Sequence, residues 1–202
     1  GETGSSLSLL NVNSATSGSY TVEVTGLCGG PVTSAAATVT INENPEITGQ
    51  PVSSVICETG NTSFTVNAGV TTGAVYQWEL SVDGGLTYSP ITNVGIYSGA
   101  TTSTLILTGV PLSSTGTLYR AVITGSCSGS VTSNGALLTV QQSPVIVTPP
   151  SSQLACEGST VTLSVVATGA GLSYQWYQGV TLLAGETGSS LSLLNVNSAT
   201  SG

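Results

Sequence analysis

Apolar residues fall in short alternating runs along this chain. Val, Leu, Ile and Tyr take every second place, and Gly, Ser, Asn and Pro separate the runs. A period of two is the mark of strands with one buried face, so the pattern predicts many half-buried β-strands. Typical segments are Tyr76-Gln-Trp78, Thr104-Leu-Ile-Leu107 and Ser190-Leu-Ser-Leu193. Asp83-Gly84 is predicted to be a tight hairpin turn after the Trp78 strand. The expected fold class is all-β.

The runs recur at two periods. Residues 1–18 reappear letter for letter as residues 185–202, which is a spacing of 184. A weaker repeat at about half that period aligns Cys57–Val66 with Cys156–Val165, and Tyr76-Gln-Trp78 with Tyr174-Gln-Trp176. It also aligns Thr104–Val110 with Ser190–Val196, and Thr115–Tyr119 and Thr124–Cys127 with Ser17–Tyr20 and Thr25–Cys28. The expected organisation is one complete module at 43–141 and a second that is cut in two. Its N-terminal part is 142–202, completed by the following repeat, and its C-terminal half is 1–42, completed by the preceding repeat. With 19–42 following 202, the cut module has 85 residues and the complete one 99, which together make the 184-residue period. Such arrays bury a continuous core only when neighbouring copies are present.

Composition narrows the function. Charged residues are 5% of the chain, Arg120 is the only cation, and the formal net charge is −8. No basic stripe is available for nucleic acid. There is no His or Lys to serve as a base or amine nucleophile, and the nine acids are scattered, so an enzyme is not expected. Asp83 beside Glu79 is too few oxygens for a calcium ion, and no metal or cofactor is expected. No run is long and apolar enough for a membrane helix, so no membrane insertion is expected in this segment. Without a starting Met or signal peptide the sequence reads as an internal segment, whose export signal lies elsewhere in its parent. Cys28, Cys57, Cys127 and Cys156 have no C-x-x-C spacing that would suit zinc. Thiols in a Ser/Thr/Gly-rich β chain point to disulfides and an extracellular, secreted or cell-surface location.

Each module, with its Trp strand, Leu-alternating strand and Gly-x-Tyr or Gly-x-x-Tyr turn, follows an immunoglobulin-like plan. The strings Tyr76–Tyr88 and Tyr97–Leu107 resemble the tandem immunoglobulin-like repeats of large secreted and surface proteins of Bacteroidetes-type bacteria. The resemblance implies tandem β-sandwiches, two per period. Trp78 and Trp176 would fill the space between sheets, and Tyr20 and Tyr119 would form tyrosine corners. The usual inter-sheet cysteine positions hold Val66, Ala121, Val165 and Val22 instead. The cysteines lie outside them, so Cys57 is expected to pair with Cys127, and Cys156 with the Cys28 of the next repeat. The alternative is free buried thiols.

The complete module has 27 residues from Trp78 to Leu105, against 15 from Trp176 to Leu191. The insertion around Thr87–Ser98 reads either as a binding loop with Tyr88 and Tyr97 as platforms for sugar rings, or as an added edge strand. Asn61-Thr-Ser63 fits the N-glycosylation pattern, coincidental in a bacterial protein. Short junctions at Thr40–Pro45 and Val140–Pro144, each with a Pro and no Gly, predict modules joined end to end. The expected function is a structural repeat of an extracellular filament or surface fibre, whose partners are copies of itself. The alternative is the stalk or glycan-binding module of an adhesin, with glycans or other cell surfaces as partners. A third reading has separate subunits that exchange half-modules.

Overall fold

A computed structural model describes residues 2–197. Gly1 and Ser198–Gly202, the last letters of the second copy of the duplicated segment, lie outside the described residues. Apart from two single 3-10 turns, Ser14–Thr16 and Leu112–Ser114, the described residues form strands and loops. None of their helices is long and apolar enough to cross a membrane. Two compact units are present. One holds Gly1–Ser54, Asn61–Thr108 and Gly116–Leu138, and the other Val55–Gly60, Gly109–Thr115 and Thr139–Gly202.

The first unit contains most of a two-sheet sandwich. One sheet pairs Thr62–Thr65, Thr104–Leu107 and Tyr97–Ser98 in antiparallel order. The other is built on Val75–Ser81 against Leu118–Thr124, in register from Val75↔Thr124 to Ser81↔Leu118. Alternate residues of each strand point inward, as the period of two requires. Phe64, Leu105 and Leu107 from the first sheet meet Trp78, Tyr119, Ala121 and Ile123 from the second, all buried. Phe64 stacks on Tyr119 with ring centroids 4.9 Å apart. Trp78 is fully buried, and its indole N–H donates across to Thr102 O at 2.9 Å, so burying the ring strands no polar group. The insertion supplies both sheets with edges: Ser89–Pro90 pairs with Glu79–Leu80, and Tyr97–Ser98 with Ile106–Leu107.

The same unit carries the hairpin 18–39. It pairs Tyr20↔Ala37 and Val24↔Val32, the same partners as Tyr119↔Ala136 and Ile123↔Val131 moved by 99 positions. Ser34 N–H donates to Val22 O and Ser34 Oγ accepts from Val22 N, just as Ser133 does with Ala121. The bends therefore match as well as the ladders. What differs is cover: Val22, Val24 and Val32 are exposed here, while Ala121 and Ile123 are buried.

The second unit holds three two-stranded sheets in its C-terminal part: Val145–Thr148 with Val166–Thr168, Val161–Ser164 with Ser190–Leu193, and Tyr177–Gln178 with Thr181–Leu182. The last two correspond to Thr62–Thr65 with Thr104–Leu107 and to the Trp78 hairpin.

The Tyr corner expected at both tyrosines forms at one. Tyr20 Oη donates to Thr16 O, four residues back, at 2.6 Å. Tyr119 instead shares its hydroxyl with Tyr97, 3.2 Å away, because the insertion brings a second phenol to it. Burial, and then the Tyr97 hydroxyl, push the Tyr119 phenol far above its ordinary value.

Candidate functional site

The feature that distinguishes the second unit is an apolar groove of about 470 Å³, lined among others by Pro144, Ile146, Val165, Leu172, Tyr174 and Trp176. Its floor is built as in the complete module. Trp176 N donates to Glu186 O at 3.0 Å, as Trp78 N does to Ala100 O at 2.8 Å. The Trp176 indole donates to Gly188 O at 2.9 Å. Gln175 Nε2 bridges Trp176 O and Leu183 O, and Gln77 Nε2 bridges Trp78 O and Ile91 O in the same way. Yet Trp176 is only half-buried while Trp78 is sealed. In the complete module Ala121 pairs with Trp78, in the strand that also carries Tyr119 and Ile123. No described residue of this unit takes that place beside Trp176. The hairpin 18–39 repeats the pairings of the strand that covers Trp78, with Val22 where Ala121 stands.

The duplicated segment reports the same gap from the other side. Ser190–Leu193 is a strand on Val161–Ser164. The identical Ser6–Leu9 is no strand at all.

The expected ligand residues are placed apart. Tyr97 packs inward, its ring 6.2 Å from that of Tyr119. Tyr88 lies under Arg120, whose guanidinium carbon is 3.6 Å from the ring centroid, and Arg120 Nε donates to Glu79 Oε2 at 2.8 Å. Asp83 is occupied by its own turn. It accepts from Ser81 Oγ at 2.7 Å and from Thr87 N at 3.0 Å. These hydrogen bonds, from Ser81 first and Thr87 next, hold its carboxyl far below its ordinary value of 3.8. Among the described residues no three of His, Cys, Asp and Glu gather as a metal site would need.

The disulfide expectation needs correction. All four cysteines are free, and Cys57 is not joined to Cys127. The residues beside the two thiols have different backbone partners: Ser126 N, beside Cys127, donates to Thr72 O, and Glu58 N, beside Cys57, donates to Gln141 O. Spacing in sequence measured loop length and said nothing of which strand end each thiol occupies.

Comparison with known proteins supports the architecture. Over 92% of this chain, extracellular domains 3–5 of Drosophila OTK align with a TM-score of 0.51 at 19% identity. Titin I-band fragment I67–I69 aligns over 94% of this chain with a TM-score of 0.55 at 17% identity. The fold is immunoglobulin-like. The chain spans 64% of the OTK fragment and 68% of the titin fragment. A domain of unknown function, DUF8696, matches residues 48–142. No curated protein matches the chain.

Proposed function

We propose that this chain is a stretch of a tandem array of immunoglobulin-like modules, a non-enzymatic structural repeat of an extracellular filament or surface fibre. The modules are 43–141 and 142–202, the latter completed by residues 19–42 of the copy that follows. The observation that supports the reading is that hairpin 18–39 repeats, 99 positions earlier, the ladder of the strands that cover Trp78, while Trp176 is left half-buried in its groove. A surface nearly free of charge and rich in Ser and Thr suits a long exposed fibre, and a net charge of −8 keeps it soluble. Identical copies present any weak contact at fixed intervals, so avidity replaces affinity.

Glycan binding by Tyr88 and Tyr97 has less support, since one ring is packed against Tyr119 and the other is covered by Arg120. A glycan array probed with the chain tests that role, and binding lost in Tyr88→Ala would restore it.

The array itself is tested by the mass of the native polypeptide on a denaturing gel with reductant. The expected species is many times larger than the 20.0 kDa of this chain. A reduced band near that mass would replace the covalent array with subunits that exchange half-modules.

A further inference from the structure

The four cysteines, unpaired within the chain, occupy two kinds of seat that the structure repeats. Cys57 and Cys156 open the same turn. Gly60 N donates to Cys57 O and Ser159 N to Cys156 O. The turn is held in each case by a valine carbonyl after the Leu strand: Thr59 N donates to Val110 O, and Gly158 N to Val196 O, both at 2.8 Å. Cys28 and Cys127 share the other seat, the loop closing the last hairpin, four residues past Val24 and Ile123, which have matching pairings.

Each kind of seat lies at a junction. Cys127 Sγ donates to Asn42 O at 3.3 Å, so it touches the peptide by which the chain comes into the complete module. Glu43 O accepts from Thr72 N, and Thr72 O accepts from Ser126 N. The junction after the complete module repeats this, with Gln142 O accepting from Ala170 N as Glu43 O does from Thr72 N. The residue equivalent to Asn42 is Gln141, and Gln141 O already accepts from Glu58 N at 2.8 Å. One peptide carbonyl is thus the neighbour of Cys57 and, by equivalence, the contact point of the Cys28 thiol of a following copy.

The first junction gives the converse. Val12 is the same residue, in the same duplicated segment, as Val196, which holds the Cys156 turn. Two residues on, Ser14 N donates to Glu43 Oε1 at 3.2 Å, beside the Asn42 carbonyl that Cys127 touches. The Val12 carbonyl is therefore the seat for the Cys156 turn of a preceding copy. Compactness follows the same lines: the Cys57 turn clusters with 139–202, and Cys127 with 1–54.

We propose that the cysteines cross-link consecutive modules: Cys57 with the Cys28 of the next copy, and Cys156 with the Cys127 of the next copy. The proposal rests on the tandem reading. It gives each module a thiol for each of its two junctions and makes every junction a covalent staple. Chemically, the oxidant is a disulfide of the glutathione type. One cysteine thiolate attacks its sulfur and releases a glutathione thiolate, leaving a mixed disulfide. The second cysteine thiolate attacks the protein-borne sulfur and releases the second glutathione. Two thiols lose their protons, one disulfide forms, and two glutathione thiols take up the protons and the electron pair. Cys57 and Cys156 are exposed and Cys127 is partly so, which leaves these sulfurs open to attack.

The test is a chain of 1–202 followed directly by 19–202, oxidised with glutathione disulfide, then subjected to thiol counting and non-reducing peptide mapping. With four cysteines in each copy, the expected result is four reactive thiols remaining, and peptides joining Cys57 to the second Cys28 and Cys156 to the second Cys127. Cys57–Cys127 bonds within each copy overturn the proposal whether they leave four reactive thiols or, with a further bond from Cys156 to the second Cys28, two; eight reactive thiols overturn it as well. Acrylamide quenching separates the failures. Completion of the first groove seals its Trp176, so the accessible indoles go from one of two in the single chain to one of four. Accessible Trp176 in both copies sinks the tandem reading and the cross-link together. A sealed Trp176 with free or otherwise paired thiols sinks the cross-link alone.

Discussion

Residues 6–12 and 190–196 have the same sequence and different structures. Leu191 is 4% exposed, whereas Leu7 is 49% exposed, and Val196 and Val12 are at 9% and 44%. The backbone turn after the leucines is unchanged: Asn11 and Asn195 both have φ of 51°. The difference is a partner. Ser190–Leu193 lies on Val161–Ser164, and Ser6–Leu9 has no strand opposite it. A turn is a local property that seven letters fix, while a strand is a property of two segments and needs the second one present.

Trp78 and Trp176 extend the comparison and give the largest expected effect. Trp78→Ala empties the centre of the complete sandwich and should cost about 3–5 kcal/mol, as buried aromatic truncations do. Trp176→Ala, on a ring already half in water, should cost less than half of that. Urea unfolding measures both, and equal losses would mean the groove is filled in the free chain.

Next come the duplicated leucines. Leu191→Ala should cost about 2–3 kcal/mol and Leu7→Ala under about 0.5 kcal/mol, since only one of them leaves a buried site. Placing a second copy of residues 142–184 ahead of residue 1 supplies Ser6–Leu9 with its strand. Leu7→Ala should then cost as much as Leu191→Ala does now. A persisting difference would break the account given for it.

Acid should distinguish the two modules more gently. Asp83 has its folded pKa lowered below the ordinary 3.8. Its contribution is therefore complete above about pH 4 to 5 and is lost as the pH falls further and the unfolded chain takes up the proton. The equivalent turn of the second unit, at Gly179–Val180, has no carboxylate. Unfolding of the complete module should become easier below pH 4, and Asp83→Asn should flatten that acid limb without altering its neighbour. An unchanged pH profile in Asp83→Asn would show that other carboxylates set it.

The smallest effect is at the shared turn. Asn11→Gly and Asn195→Gly should each lie within about 0.5 kcal/mol of zero, because both residues already occupy the left-handed region that glycine accepts. Unequal effects would mean that the turn, like the strand, depends on its surroundings.

Much of this was legible in advance. The alternation marked the strands, Trp78 marked the sheet-to-sheet space of its sandwich, and the matched strings marked the pairings that 18–39 shares with 117–138. Trp176, however, does not fill a sealed space as expected but stays half-buried. The Tyr97–Tyr119 contact was hidden because it depends on where the insertion folds back, and a phenol that packs against another phenol carries no signal in its neighbours. The Cys57–Cys127 pairing, absent from the structure, was misjudged for a different reason. The offsets of the thiols from Trp and Tyr are symmetrical, but symmetry along the chain does not say at which end of a strand a loop emerges.

The hairpin 18–39 keeps the ladder and bends of its buried counterpart while Val22 and Val24 remain in water. A piece shaped before it docks has a kinetic meaning. In the proposed array, closure of a cut module would be the meeting of two prepared surfaces, with the slow search for register over before they touch. Identical repeats, however, leave nothing in the sequence to tell a chain's own hairpin from its neighbour's. Only tethering does, through an effective concentration on the order of millimolar. If the proposed fibres packed more densely than that, strands would exchange between them, and a bundle of separate chains would become a woven one.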